Sequence, residues 1–290
     1  MPQYSIYTVD AFADKPFAGN QAGVVPVPSA QPVADHTMQA LAAEMNISET
    51  TFLTATEHQG DSEFQRASKF SLRWFTPTVE VTLCGHATLA AAHVLVHELG
   101  NQNPEIRFET LSGVLIVRVN ANGQLDMTFP ADVPEPVVAN NNIKLLAQSV
   151  FGEYSDAMEI ALSPVLRYLV VHDPRRTAQD VASLVPDITP AIVAAGREEN
   201  VMIVIATARG TGADFVSRVF GPWCGVDEDP VTGSAHTVLA PFWEQRLGKS
   251  SFSALQCSKR GGTLGVQVAG AQVVVSGTAV VVIRGTLSLD

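Results

Sequence analysis

Three short stretches hold residue types whose spacing could support chemistry. "MNISETTF" places Glu49 between a helix end expected at Asn46 and an apolar strand expected from Thr51. A carboxyl at such a junction, shielded by apolar neighbours, would have its pKa raised into the range useful for proton transfer; as a solvated turn residue it would do nothing. "TLCGHATLA" sets Cys84, Gly85 and His86 ahead of an Ala/Leu-rich run, and "VDEDPVTGSAH" sets Asp229 four residues before Gly233, followed by Ser234 and His236.

Gly85 and Gly233 lie among small residues where helices should begin. A helix start carries unsatisfied N–H donors and roughly half a positive charge, so it can hold an anion if little bulk shields it. The plainer reading is that both glycines permit tight turns, with Thr232 or Ser234 as an ordinary cap. A Cys-His nucleophile pair at Cys84 and His86 is disfavoured, because residues two apart on a helix do not face each other. A metal site built from Cys84, His86 and His236 lacks a fourth ligand and any recognised spacing, so no metal is expected.

An internal repeat decides how these stretches are organised. Phe70, Arg73, Phe75 and Pro77 of "FSLRWFTP" recur 145 positions later as Phe215, Arg218, Phe220 and Pro222 of "FVSRVFGP". At an offset of 148, Glu80 matches Glu228, Gly85 matches Gly233 and Ala87 matches Ala235. Downstream, "SGVLIVRVNANGQLDMTF" resembles "GGTLGVQVAGAQVVVSG", each a hairpin pattern around a Gly-containing turn. A turn alone has no reason to carry an acidic residue at the same offset in both copies, so duplication favours a shared binding role for the two helix starts.

The pattern predicts an α+β protein of two pseudo-symmetric lobes, each a curled, mostly antiparallel sheet around a central helix. The expected lobes are 1–130, completed by a C-terminal strand over 278–290, and 131–277, with the Pro- and Asn-rich 130–142 as linker. Helices are predicted over 34–45, 86–99, 142–151, 176–183, 189–197 and 234–246. Strands are expected at 4–12, 51–54, 114–119, 166–171, 201–206 and 273–275. The two helix starts are expected to face one interlobe cleft.

Composition narrows the partners. Of 290 residues, 46% are hydrophobic and 16% charged, which describes a compact globular chain, and the formal net charge of -11 argues against nucleic-acid binding. Three cysteines give no paired framework, and no segment has the basic-then-apolar pattern of a signal or the length of a membrane span. A cytoplasmic protein is expected, binding a small-molecule carboxylic acid and neither nucleic acid nor membrane.

"DAFADKPFAGN", "MNISETTF", "RWFTPTVEVTLCGHATLA", "EDPVTGSAH" and "QCSKRGG", in that order, resemble the PhzF-like family of phenazine biosynthesis-like domain proteins. The resemblance implies the diaminopimelate-epimerase-like fold, no organic cofactor, and an isomerase that relocates a proton on a dihydro-hydroxyanthranilate. It places the catalytic glutamate at Glu49 and substrate-binding positions at Asn20, Gly85, His86, Asp229, Gly233 and Ser234. The family's usual Gly-Asn-Pro is Gly19-Asn20-Gln21 here, which bears on the local loop. Epimerases of this fold use two cysteines, whereas this chain pairs Cys84 with Thr232, so Cys84 reads as a bystander. The expected function is a cofactor-independent isomerase acting on a small cyclic or unsaturated carboxylic acid, with a homodimer as the expected assembly. Two alternatives stay open: a non-catalytic binding or interaction protein, and a Cys84-dependent epimerase.

Overall fold

The computed structural model describes residues 2–57, 60 and 62–289. The chain divides into two compact units, Met1–Thr128 with Ser276–Asp290, and Phe129–Val275. The elements run β1 (Gln3–Ala11), β2 (Asn20–Pro26), α1 (Asp35–Met45), β3 (Glu49–Ala55), α2 (Glu63–Arg66), β4 (Lys69–Phe75), β5 (Glu80–Val81), α3 (Gly85–His93) with a π-helical turn (Val94–Glu98), β6 (Glu105–Thr110), β7 (Gly113–Val119) and β8 (Leu125–Pro130). They continue as β9 (Glu135–Pro136), α4 (Asn141–Phe151), β10 (Glu159–Leu162), β11 (Tyr168–His172), α5 (Ala178–Ala182), α6 (Pro190–Glu198), β12 (Ile203–Arg209), β13 (Phe215–Gly221), a 3-10 turn (Pro222–Cys224) and β14 (Val226–Asp229). α7 (Gly233–Leu247), β15 (Ser251–Gln256), β16 (Gly262–Ala269), β17 (Gln272–Gly277) and β18 (Ala279–Ser288) complete the chain.

The repeat seen in the sequence is a repeat of topology. In the first unit β2 runs parallel to β3, β3 antiparallel to β4, β4 parallel to β6, and β6 antiparallel to β7. In the second, β11, β12, β13, β15 and β16 follow in the same order and senses. Each series is edged by a further antiparallel pair: β1 joins β2 and is covered by β18, while β10 joins β11 and is covered by β9. The Arg-Glu pairing is duplicated as well. Arg73 grips both oxygens of Glu80 at 2.7 and 2.9 Å, and Arg218 grips Glu228 at 2.6 and 2.8 Å.

α3 is the central buried helix of the first unit. Residues 86–92 are all buried, so this helix has no solvent face, and it packs on β1, β2, β3 and β18. Alanine at 87 and 90–92 keeps the helix slim enough to be wrapped. The opposite face of the first unit's sheet is covered by α1, whose Met38, Leu41 and Ala42 meet Val25, Phe52 and Phe75. In the second unit α4, α5 and α6 supply Leu146, Val150, Val181 and Ile192 against Leu169, Val171, Val204 and Phe220. α7, buried over 235–243, takes the place of α3.

Element boundaries differ from the sequence expectation where backbone conformation intervenes. The strand expected from Leu166 begins at Tyr168, because Arg167 sits at φ +60°. The one expected from Val201 begins at Ile203, because Asn200 is left-handed and the N–H of Val201 is taken by Gly196 O. The 86–99 helix widens at its end, passing into a π turn over Val94–Glu98 where the Leu99 N–H reaches Val94 O. Among the described residues no helix is long and apolar enough to cross a membrane.

Candidate active site

In the first unit the left-handed Asn46 ends α1, its N–H closing on Ala42 O, and turns the chain so that Glu49 opens β3 opposite Ala22 of β2. Gly19, at φ +66°, brings Asn20 to the start of β2. A Cβ there would lie 2.1 Å from Ala11 O, so only glycine fits. Cys84 is the N-cap of α3, with extended φ −148° and ψ 108°. His86 follows within the first turn.

These elements bring Asn20, Ser48, Glu49, Cys84 and His86 together. Glu49 Oε2 lies 3.0 Å from His86 Nε2, with side-chain exposures of 17% and 9%, so the pair is largely shielded from water. Ser48 Oγ lies within hydrogen-bond reach of Asn20 Oδ1 at 3.3 Å and of Gln21 O at 3.1 Å, its single proton serving one of them at a time, and the Asn20 amide nitrogen lies 3.3 Å from His86 Nδ1. His86 Nε2 faces Gln21 O at 3.2 Å as well as Glu49 Oε2, so both ring nitrogens have polar neighbours. Glu49 Oε2 is buried and meets Nε2 as an ion-pair contact rather than a well-aligned hydrogen bond.

Cys84 Sγ lies 3.4 Å from the same Nδ1. This corrects the sequence argument against such a contact. The i, i+2 rule holds for two helical residues, and Cys84 precedes the helix in extended conformation, so its side chain swings back over the imidazole. Cys84 is therefore no bystander to the cluster.

The electrostatics correct a second expectation. Burial pushes the Glu49 carboxyl up, but the charge and close contact of His86, with the Cys84 thiol and Ser48 hydroxyl, outweigh it and hold the group below the ordinary 4.5. Burial works against the His86 imidazolium, yet Cys84 and Glu49 beside it hold it well above the ordinary 6.5. Burial, reinforced by the Glu49 charge, pushes the Cys84 thiol up. Glu49 is thus an ionised, desolvated base rather than a carboxyl of raised pKa.

Among the described residues, Glu49, Cys84 and His86 are the one group of three metal-type donors within 4.8 Å of one another. Carboxylate, thiol and imidazole are ligands zinc accepts. Here, however, both imidazole nitrogens are engaged by Asn20, Cys84 and Gln21 O, so a metal would have to displace bonds the cluster already makes. His236, the third sequence candidate, belongs to the other unit. It is fully buried with Nδ1 on Thr232 O at 2.8 Å, and burial takes its pKa to about 4.

In the second unit Thr232 is the N-cap of α7, ahead of Gly233 and Ser234. Its hydroxyl donates to Asp229 Oδ2 in a short bond, and its N–H donates to Gln256 Oε1 at 2.9 Å. Gln256 Nε2 donates to Asp229 O at 2.7 Å, and Ser258 Oγ donates to Pro230 O at 2.7 Å. Ser234 Oγ meets Tyr168 Oη at 3.1 Å. Ser48, Tyr168 and Gln256 went unrecognised in the sequence. Ser48 and Gln256 stand inside the quoted "NISE" and "QCSKRGG" stretches, whereas nothing around Tyr168 marked it.

N-capping differs among the helices: α1 and α2, like α3 and α7, have no capping side-chain bond. α4, α5 and α6 are capped by the side chains of Asn140, Thr177 and Thr189, but no N-cap side chain bonds the start of α3 or α7. Their first-turn donors are left for backbone, water or an anion.

This chain of two repeated units, each built on a buried helix, has the diaminopimelate-epimerase-like fold. It belongs to the phenazine biosynthesis-like protein family, PhzC/PhzF, which it matches over residues 9–285. An uncharacterised isomerase of Pseudomonas aeruginosa is 45% identical over 290 residues, covering 99% of this chain and 100% of that protein. A crystal structure of a PhzF-family phenazine biosynthesis protein from Enterococcus faecalis is 34% identical, with a TM-score of 0.84 over 99% of this chain and 100% of that one. A hydroxyproline epimerase from Agrobacterium vitis is 12% identical with a TM-score of 0.57, covering 99% of this chain and 93% of that one, and shares the fold alone.

Proposed function

We propose that this protein is an isomerase that needs no organic cofactor and relocates a proton on a small cyclic or unsaturated carboxylic acid, with Glu49 as general acid/base. The observation that carries the reading is the Glu49–His86 contact: the buried Oε2 lies 3.0 Å from Nε2, which holds the carboxylate ionised and able to accept a proton. The isomerase name borne by the Pseudomonas relative supports it.

In this reading the uncapped start of α3, at Gly85 and His86, holds the acid's carboxylate and the negative charge that develops when the proton leaves. Asn20 fixes the His86 ring, and His86 keeps Glu49 ionised between turnovers. Asp229, Gly233 and Ser234 form the corresponding polar start of α7, with Tyr168 as an added hydroxyl, and serve in substrate binding.

The test is deuterium wash-in from D2O, followed by NMR, across a panel of small cyclic and unsaturated acids that includes a dihydro-hydroxyanthranilate. Glu49→Gln should lose roughly 100-fold or more of the turnover, the usual worth of a general base. Wild-type turnover by Glu49→Gln on any acid the protein converts would sink the assignment.

A further inference from the structure

We propose that Cys84 is a second proton carrier: Glu49 takes a proton from one carbon of the acid, and the Cys84 thiol gives its own proton to another. The inference rests on the isomerase reading above and assigns the return half of the reaction.

The geometry is the argument. Cys84 Sγ sits 3.4 Å from His86 Nδ1 while Glu49 Oε2 sits 3.0 Å from Nε2, so the two carriers flank one imidazole. Their donor atoms, with that of His86, fall within 4.8 Å of one another, the separation that relocation between nearby carbons calls for. Asn20 Nδ2, held by Ser48, is a donor. When Nδ1 carries a proton, Cys84 Sγ is therefore the acceptor the cluster provides on that side, and when Nδ1 is bare the thiol donates into it. Burial keeps the sulfur protonated at neutral pH, so it has a proton to give.

The protons balance. The C–H bond at the first carbon breaks, its proton going to the Glu49 carboxylate and its electron pair into the unsaturated acid. The S–H bond of Cys84 breaks as a C–H bond forms at the second carbon, leaving a thiolate beside His86. Glu49 then returns its proton to the thiolate across the same cluster, and no oxidant, reductant or co-reactant is consumed. Thr232, at the position of Cys84 in the second unit, is committed to Asp229. Register and repeat place Ile203 where Glu49 stands, because Thr50 faces Phe75 as Val204 faces Phe220. The proton pair therefore belongs to the first unit.

Two measurements test this. Infrared spectra of the whole protein at pH 7 should show an S–H stretch that disappears in Cys84→Ala and moves in both His86→Asn and Glu49→Gln. Absence of that band, or its indifference to both neighbours, overturns the proposal whether or not any substrate is turned over. In D2O with a dihydro-hydroxyanthranilate as probe, the first-turnover product of the wild type should carry deuterium at the new C–H bond, delivered from the exchanged thiol. Cys84→Ala and Cys84→Ser should be slower by roughly 100-fold, and should hand part of the abstracted protium back to the product. Wild-type rate and labelling in both Cys84 variants, with Glu49→Gln inactive, would remove Cys84 from the reaction and leave the Glu49 reading standing. An active Glu49→Gln would remove that reading instead.

Discussion

At the scale of single residues, the charge state of Glu49 is set by a partner far away in sequence. The local stretch showed a carboxyl among apolar neighbours, from which burial alone predicts a raised pKa. His86 reverses the sign. Glu49, with its pKa depressed, contributes stability above its unfolded value near 4.5, and that contribution is lost as pH falls through the lower folded value. His86, with its pKa raised, contributes stability below about 6.5, lost as pH rises through the higher folded value. Cys84, the remaining titratable group against them, stays neutral across this window. The cluster should thus stabilise the fold most between roughly pH 4.5 and 6.5. The pH profile of Tm measured for wild type and Glu49→Gln should diverge most in that window and converge toward acid. A constant gap between the two profiles from pH 3 to 8 would contradict the assigned ion pair.

At the scale of elements, the two helix starts were legible because they carry their own signal, small residues followed by a long apolar segment, whereas β4 and β13 before them were not among the expected strands. What positions them was less legible. Gly19 stood out in sequence only as part of a loop departing from Gly-Asn-Pro, yet its φ of +66° and the Ala11 carbonyl 2.1 Å from any Cβ make it the residue that delivers Asn20. Gly19→Ala should cost about 3 kcal/mol. Thermal melting should show this as a drop of several degrees, together with weakened binding of small acids. An unchanged Tm would mean the loop can relax at no cost. Gln256 is fully buried and clasps both ends of the Asp229–Thr232 turn, a role visible only once β15 lies beside that turn. Gln256→Leu keeps the volume but strands the buried Thr232 N–H, at about 1 to 3 kcal/mol. Urea denaturation should report that loss, and a variant as stable as wild type would show that the clasp is dispensable. Cys84 was misjudged for a related reason: its place at the helix start was clear from sequence, but the extended backbone that lets it reach His86 is a property of the fold.

At the scale of the whole molecule, duplication explains the fold and divergence between the copies explains the site. The Arg73 and Arg218 pairs and the strand order are retained in both units, whereas Glu49, Cys84 and His86 give way to Ile203, Thr232 and Ser234. Repeated patterning made the architecture readable, because structural residues were kept; the chemistry was harder to read, because it resides in what the second copy lost. Each unit also has a covering strand at its edge, β18 from the far end of the chain for β1 and the nearby β9 for β10. The two differ in extent, since β18 pairs along the whole of β1, from Gln3 with Ser288 to Ala11 with Ala279, while β9 offers two residues. β18 is therefore structural for the first unit despite coming last in the chain, as it supplies the partner for one full edge of β1 and packs on α3. Removal of residues 279–290 should expose that edge and loosen the sheet on which Asn20 and Glu49 are mounted, leaving the second unit's own pairings intact. Hydrogen exchange followed by mass spectrometry should then show protection lost first over β1, β2 and α3 and retained over β11, β12 and β13. Uniform loss across both units would mean that they unfold as one cooperative block, and unchanged protection in β1 would mean that β18 contributes little to holding the site.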